Sequence, residues 1–327
     1  RPPPQAGEDH GVRSQPCYRW LSQDVLAGDE ALLRGVYGLL VGAHYQTRPS
    51  DLQQLLDGPG LRVLIALEDG RPVGVLLAVE EGRMPTELAE AIAAGRRRPR
   101  GHQLAQSLAA HGGYGEAPRL QLWRVMRIAV AQPARRRGVG SGLLEALRRQ
   151  AMTEGIDLLG TSFGLEAGLL RFWLANGYRP VRVGYRLDPA SAARSVQMLS
   201  PLSAPGEALS GRAVTRFQRD LPWRLGGELS DLSPDVVAPM LAGRDLQDLP
   251  LTADDLNDLR RLARGERDIR GIWPVLWRWA VHRLAEGEVG KDEAEVLVAL
   301  LQGPAVVLSD ADLQRLKALV ECLLGGD

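Results

Sequence analysis

Residues 127–141 run from the β-branched stretch at Ile128 and Val130 through Pro133 into a basic turn at Arg135, Arg136 and Arg137. Gly138, Gly140 and Ser141 follow and open a helix. A helix start exposes unpaired backbone N–H groups and a partial positive charge, and glycines let an anion approach the backbone closely. The pattern Arg135-x-x-Gly138-x-Gly140 therefore reads as a phosphate cradle. Downstream, Leu143, Leu144 and Leu147 fall on one helical face, with Arg148 and Arg149 at positions that can stay in water. Upstream, Trp123, Val125 and Met126 extend a strand suited to burial. A strand, anion-binding turn and packed helix in succession demand an α/β architecture. The turn lacks a third glycine and an acidic residue at the end of the next strand, which disfavours a dinucleotide-binding fold. The two lysines, Lys291 and Lys317, are not in a Gly-Lys-Ser/Thr setting, so no P-loop is present.

Around this unit the pattern predicts a helix over 24–41, then a loop containing Ala43, His44 and Tyr45, and a short helix capped near Ser50. Strands are expected at 62–68 and 72–79 with a hairpin turn at Asp69-Gly70. An insertion over 84–118 combines helical segments with Arg96, Arg97, Arg98 and Arg100. A strand at 156–162, a helix at 164–175 and strands near 178–187 and 195–199 complete the order β, β, β, α, β, α, β, β. From Pro205 onward only helices are expected, over 234–241, 252–264, 273–284, 292–301 and 309–324. Trp223, Trp273, Trp277 and Trp279 are read as core packing in preference to a base-stacking platform.

The chain has 327 residues, which suits two domains, and its formal charge is zero. That balance hides an asymmetry: residues 1–204 carry 25 Lys+Arg against 19 Asp+Glu, and residues 205–327 carry 15 against 21. No run of 18 apolar residues suggests a membrane span, no signal peptide opens the chain, and Cys17 and Cys322 lie far apart; the expected setting is the reduced cytoplasm. No cysteine or histidine spacing suggests a metal. Arg1 stands where a Met would, followed by Pro2-Pro3-Pro4. Residues 1–18 are therefore expected to be a linker from preceding modules.

The turn motif resembles that of the GNAT acetyltransferases, which implies an acyltransferase fold, a mixed central sheet flanked by helices, over residues 19–203, with a small all-helical tail domain over 204–327. Three further groups of motifs narrow the likeness: Ala43-His44-Tyr45 with Pro49, Asp51 and Leu52; Arg97-Arg98-Pro99-Arg100-Gly101 with 105–112; and 127–130 with Ser162-Phe163-Gly164 and Arg171-Phe172-Trp173. Together they resemble the bacterial tRNA(Met) cytidine acetyltransferases. This resemblance implies acetyl transfer from acetyl-CoA to N4 of the wobble cytidine of elongator tRNA(Met), by direct attack in a ternary complex. It also implies an N-terminal helicase module, through which ATP and Mg would act in the full-length protein. Ile128, Ala129 and Val130 would then bind the thioester and pantetheine, and Arg135, Arg136, Arg137, Gly138, Val139, Gly140 and Ser141 the pyrophosphate. Gly168 and Ala175 depart from the family's pattern in the following helix, so only the strand and turn are carried over.

His44 is the first candidate for the base that removes a proton from N4, because imidazole titrates near neutrality; a structural histidine fixing its loop is the other reading. His102 and His111 fit structural or RNA-facing roles. Arg96, Arg97, Arg98 and Arg100 are expected to meet RNA phosphates, and the tail is expected to bind tRNA, with Arg260, Arg261, Arg264, Arg267 and Arg270 as its basic stripe. Two rivals remain: a free-standing GNAT acting on a protein or small-molecule amine, and a non-catalytic RNA-binding module with a GNAT shell.

Overall fold

The computed structural model describes residues 15–43, 49–189, 192–303 and 309–324. They form two compact units, residues 1–161 with 201–206, and residues 162–200 with 207–327.

The first unit opens with β1 (Cys17–Leu21), followed by α1 (Gln23–Gly28), α2 (Glu30–Ala43) and α3 (Pro49–Asp57). The helix expected over 24–41 is two helices. Asp29 breaks it by leaving helical geometry, and its side chain accepts from the Leu32 N–H at 2.9 Å. Next come β2 (Leu61–Glu68) and β3 (Arg71–Gly82), joined as expected at Asp69 and Gly70, whose φ values of 50° and 76° suit a tight hairpin. β1 pairs antiparallel with β2, placing Cys17 opposite Leu67 and Tyr18 opposite Ala66. Those two residues fall on the linker side of the boundary expected at 18, because five residues are too few for their alternation to stand out.

The insertion folds as α4 (Thr86–Ala93) and α5 (Gln103–Ala110), packed through Met84, Ile92 and Ala109. β4 (Gln121–Val130) then pairs antiparallel with β3, and α6 (Val139–Thr153) leads into β5 (Leu158–Gly164), which pairs parallel with β4. Both faces of the sheet are covered. Val63, Ile65, Val75 and Leu77 pack with Leu26, Val36, Leu40 and Leu55, while Gly74 and Ala66 lie on the face that meets α6. Two-sided burial explains why β2 and β3 read as nearly continuous apolar runs.

One buried carboxylate ties the insertion to the sheet. Glu81, its side chain fully buried, accepts from Arg124 Nε at 2.6 Å and from the Leu104 and Ala105 N–H groups at 2.8 and 3.0 Å. It satisfies the orphan donors at the start of α5 and neutralises a nearly buried guanidinium. Beside it, His102 Nδ1 accepts the Gly82 N–H at 3.0 Å, a structural role.

The second unit holds α7 (Ala167–Ala175), the antiparallel pair β6 (Arg179–Leu187) and β7 (Arg194–Pro201), and most of α8 (Ala204–Leu225). α9 (Pro234–Leu241), α10 (Ala253–Ala263), α11 (Trp273–Glu286), α12 (Lys291–Gln302) and α13 (Asp310–Leu324) follow, close to their expected bounds. α8 was not expected, since Pro205, Gly211 and Pro222 obscure its pattern; yet Leu209, Ala213, Phe217, Leu221 and Leu225 are all buried at four-residue spacing. Pro222 cannot donate to the Gln218 carbonyl, and the buried Arg244 donates to it instead at 3.0 Å. Trp279 is 3% exposed, in keeping with core packing, but Trp223 is 79% exposed and corrects that expectation for its own position. Near the start of the unit Trp173 stacks on Phe163 and meets Tyr178 edge-on, while Arg171 is exposed.

Glu81→Ala leaves Arg124 and two helix-start donors without their partner. We expect a loss of about 3–5 kcal/mol, seen as a lower urea midpoint; an unchanged midpoint would show that Glu81 does not fasten the insertion.

Candidate functional site

The site is built where β4 hands over to α6. Gly74↔Val130, Val75↔Ala129 and Leu76↔Ile128 pair β4 with β3, and Met126 is the extra residue of a bulge between Leu77↔Arg127 and Ala78↔Val125. On its other side the β4–β5 ladder runs from Leu122↔Leu158 to Val125↔Thr161 and ends there, although β4 continues to Val130. The bulge and the end of the parallel ladder thus coincide at one point along β4. Bulges of this kind re-aim backbone and side chains beside sites.

After Val130 the chain makes a short 3-10 turn at Gln132–Ala134 and enters the basic turn. Arg136 and Gly138 both take left-handed φ, 58° and 80°. Gly138 caps α6, and a Cβ built on it would meet nothing within 4 Å. The glycine is there for its conformation and leaves open space at the helix start. Val139 is buried and anchors the first turn, while Ser141 is exposed. The first free N–H groups of α6, at Val139, Gly140 and Ser141, precede the first intrahelical bond, Gly142 N–H to Gly138 O at 2.8 Å. The helix dipole adds partial positive charge at the same place.

The three arginines of the turn do different things. Arg135 Nε donates to the Val130 carbonyl at 3.1 Å and folds back on the strand end. Arg136 is exposed. Arg137 forms a two-pronged pair with Glu68 at 2.5 and 3.1 Å, and the hydrogen bonds to Glu68 hold its guanidinium above its ordinary pKa. Its side chain therefore braces the turn against the end of β2, and its backbone remains part of the turn.

Two glycines outside the motif set the position of α6, and no sequence pattern pointed to them. At Gly74 on β3 a Cβ would come 3.0 Å from Val139 Cγ1 and 3.1 Å from Leu143 Cδ1. At Gly142 it would lie 1.9 Å from the Tyr18 hydroxyl. The helix start is consequently seated on bare backbone at two points.

A family model described as GNAT acetyltransferase 2 matches residues 35–154, which include β4, the basic turn and α6. Those residues carry a GNAT acetyltransferase domain. Over 262 residues it is 43% identical to the tRNA(Met) cytidine acetyltransferase TmcA of Nitrosococcus halophilus, covering 79% of this chain and 35% of that protein. It is 38% identical over 249 residues to the TmcA of Pectobacterium atrosepticum, covering 75% of this chain and 35% of that protein. The chain thus spans about a third of the length of these curated relatives. Among solved structures, the ribosomal-protein-S18-alanine N-acetyltransferase from Escherichia coli aligns over 58% of this chain and 95% of its own, at 13% identity and a TM-score of 0.37. The resemblance expected from the turn and its neighbouring motifs is the one found.

Other expected site residues are placed less uniformly. His44 lies outside the described residues, as does Tyr45. Arg96, Arg97, Arg98 and Arg100 are all exposed in the segment between α4 and α5, and no ion pair joins any of them to a carboxylate among the described residues. In the tail stripe, Arg267 pairs with Asp258 at 3.0 Å and Arg261 with Glu266 at 3.4 Å, so part of its charge is already met. Glu166 caps α7, accepting from the Gly168 and Leu169 N–H groups at 2.8 and 3.0 Å.

Seating of α6 is testable by a double-mutant cycle. We expect Tyr18→Ala to relieve the destabilisation caused by Gly142→Ala, while leaving that of Gly138→Ala, about 1–2 kcal/mol from left-handed strain, unchanged in thermal or urea unfolding. Additivity in both cycles would remove Tyr18 from the account.

Proposed function

We propose that the chain is the acetyltransferase part of a tRNA(Met) cytidine acetyltransferase, transferring acetyl from acetyl-CoA to N4 of the wobble cytidine of elongator tRNA(Met). The observation that carries this reading is the 43% identity to a relative of that name, over 79% of the chain, together with a family match that spans the glycine-opened helix start. The residues fit the donor. N–H groups of Val139, Gly140 and Ser141 would hold the pyrophosphate, helped by the exposed Arg136 and by Arg135 and Arg137 flanking the turn. Ile128, Ala129 and Val130, past the end of the β4–β5 ladder, would hydrogen-bond the pantetheine amides as an added strand does.

Cytidine N4 is conjugated with the ring and weakly nucleophilic, so orientation and carbonyl polarisation supply most of the acceleration. N4 attacks the thioester carbonyl directly within a ternary complex. A new C–N bond forms, the C–S bond breaks, the amine proton passes to a base, and CoA leaves as a thiolate that takes up a proton. His44 is the proposed base. Arg96, Arg97, Arg98 and Arg100 would contact tRNA phosphates, and the helical tail would contribute further RNA contacts. In the full-length protein an N-terminal helicase module would couple ATP hydrolysis, with its Mg, to delivery of the anticodon. A cytoplasmic setting accords with such a substrate, and no helix among the described residues is long and apolar enough to cross a membrane.

The test is nucleoside analysis of tRNA incubated with acetyl-CoA, ATP, Mg and the full-length protein. N4-acetylcytidine at the wobble position is the expected product, and acetylation of protein or polyamine amines with none on tRNA would overturn the reading. By calorimetry, Gly138→Val should weaken acetyl-CoA binding at least about tenfold, a loss of about 1.4 kcal/mol. Retained affinity would remove the turn from the donor site.

A further inference from the structure

The least expected surface in the second unit lies on α8. Arg212, Arg216, Arg219 and Trp223 are exposed and fall at i, i+4, i+7 and i+11, one continuous stripe along the helix. At 1.5 Å per residue the stripe is about 16 Å long. The opposite face, Leu209, Ala213, Phe217, Leu221 and Leu225, is buried, so the helix is firmly packed and presents the stripe on a rigid support.

Trp223 is the unusual member. At 79% exposed it leaves a large apolar ring in water, beside the turn of helix where Pro222 interrupts the hydrogen-bond ladder. Arg244 occupies the carbonyl freed by that proline, so the interruption is compensated and the indole is held out by an ordered backbone. Arg212 Nε donates to the Ala208 carbonyl at 3.2 Å, which orients its guanidinium along the helix. Asp220 is one counter-charge: it lies 2.8 Å from Arg219 and 3.7 Å from Arg216, whose side chains are 58% and 57% exposed. Solvated pairs of this kind contribute little to stability and exchange partners readily. A polyanion can therefore displace Asp220 from either arginine at small cost.

We propose that this face of α8 docks single-stranded RNA, with Trp223 stacking on an unpaired base and Arg212, Arg216 and Arg219 contacting the phosphates leading to it. An indole offers every base a π-face, and guanidinium groups match phosphate oxygens in pairs. The proposal deepens the tRNA reading above and rests on it for the identity of the RNA. A second copy of this chain is the competing occupant, disfavoured by the net positive charge that two such stripes would bring together.

The experiment uses the whole chain and three probes: a fluorescent anticodon stem-loop, a fully paired duplex of equal length, and labelled acetyl-CoA. Charge reversal at Arg212, Arg216 and Arg219 should weaken stem-loop binding at least about tenfold and flatten its salt dependence by two to three phosphate contacts, on the order of the counterion slope. Trp223→Ala should lose about tenfold on the stem-loop and leave the duplex unaffected, with Trp223→Phe restoring most of the loss. Because all four side chains are exposed, acetyl-CoA affinity and unfolding midpoints should not move. Unchanged stem-loop affinity in both variants overturns the proposal, as does an equal loss on stem-loop and duplex for Trp223→Ala. Lost self-association in sedimentation, with RNA binding intact, would give the face to a second copy and likewise overturn it. If wild-type full-length protein forms no N4-acetylcytidine while the α8 variants still lose stem-loop binding, the reaction fails and the docking face stands.

Discussion

The seating of α6 on the sheet is the constraint on which the proposed donor site depends. A helix start is a useful anion site only if its N–H groups point at a fixed place. Here the place is fixed from three sides: Val139 and Leu143 against Gly74, the Tyr18 hydroxyl against Gly142, and the Arg137–Glu68 pair holding the basic turn to the end of β2. Each contact comes from a different strand. β1, β2 and β3 thus all act on one turn of helix, and the motif residues supply only the surface that faces a ligand.

The same economy governs the insertion. A helical excursion between two sheet strands has little core of its own, with Met84, Ile92 and Ala109 as its buried centre. Glu81 gives it a rigid origin by joining the start of α5 to Arg124 on β4. The exposed arginines at 96–100 are therefore displayed from a fastened platform. Arg62 reinforces the region from β2: it lies 4.0 Å above the Trp123 ring and pairs with Glu154 beyond the end of α6. Cation–π contact and a two-pronged carboxylate pair hold one guanidinium in a single orientation.

The sequence made the strand, turn and central helix legible because three independent signals agreed there: β-branched residues, left-handed glycine chemistry and a helical leucine stripe. The hairpin at Asp69-Gly70 was legible for the same reason, and the five later tail helices carried caps or apolar periodicity. β1 was hidden by its shortness, and α8 by prolines and glycines whose backbone consequences are repaired by a residue far along the chain, Arg244. Glu81, Gly74 and Gly142 were hidden more deeply. Their roles exist only through tertiary neighbours, and no local spacing encodes which strand an isolated glycine will face.

Arginine illustrates why partners matter more than composition. Of the 40 basic residues 38 are arginines, and the linear pattern treats a run of three in the turn and a run of three in the insertion alike. The structure separates them. Arg137 is committed to Glu68 and Arg124 to Glu81, where the guanidinium braces the fold. Arg96, Arg97, Arg98 and Arg100 stand exposed with no carboxylate partner among the described residues. A basic residue already satisfied by a carboxylate must give that partner up before it meets a phosphate, whereas a solvated one releases only counterions and water. The zero net charge of the chain therefore says little about its affinity for a polyanion. What decides it is how much positive charge remains uncommitted on each surface.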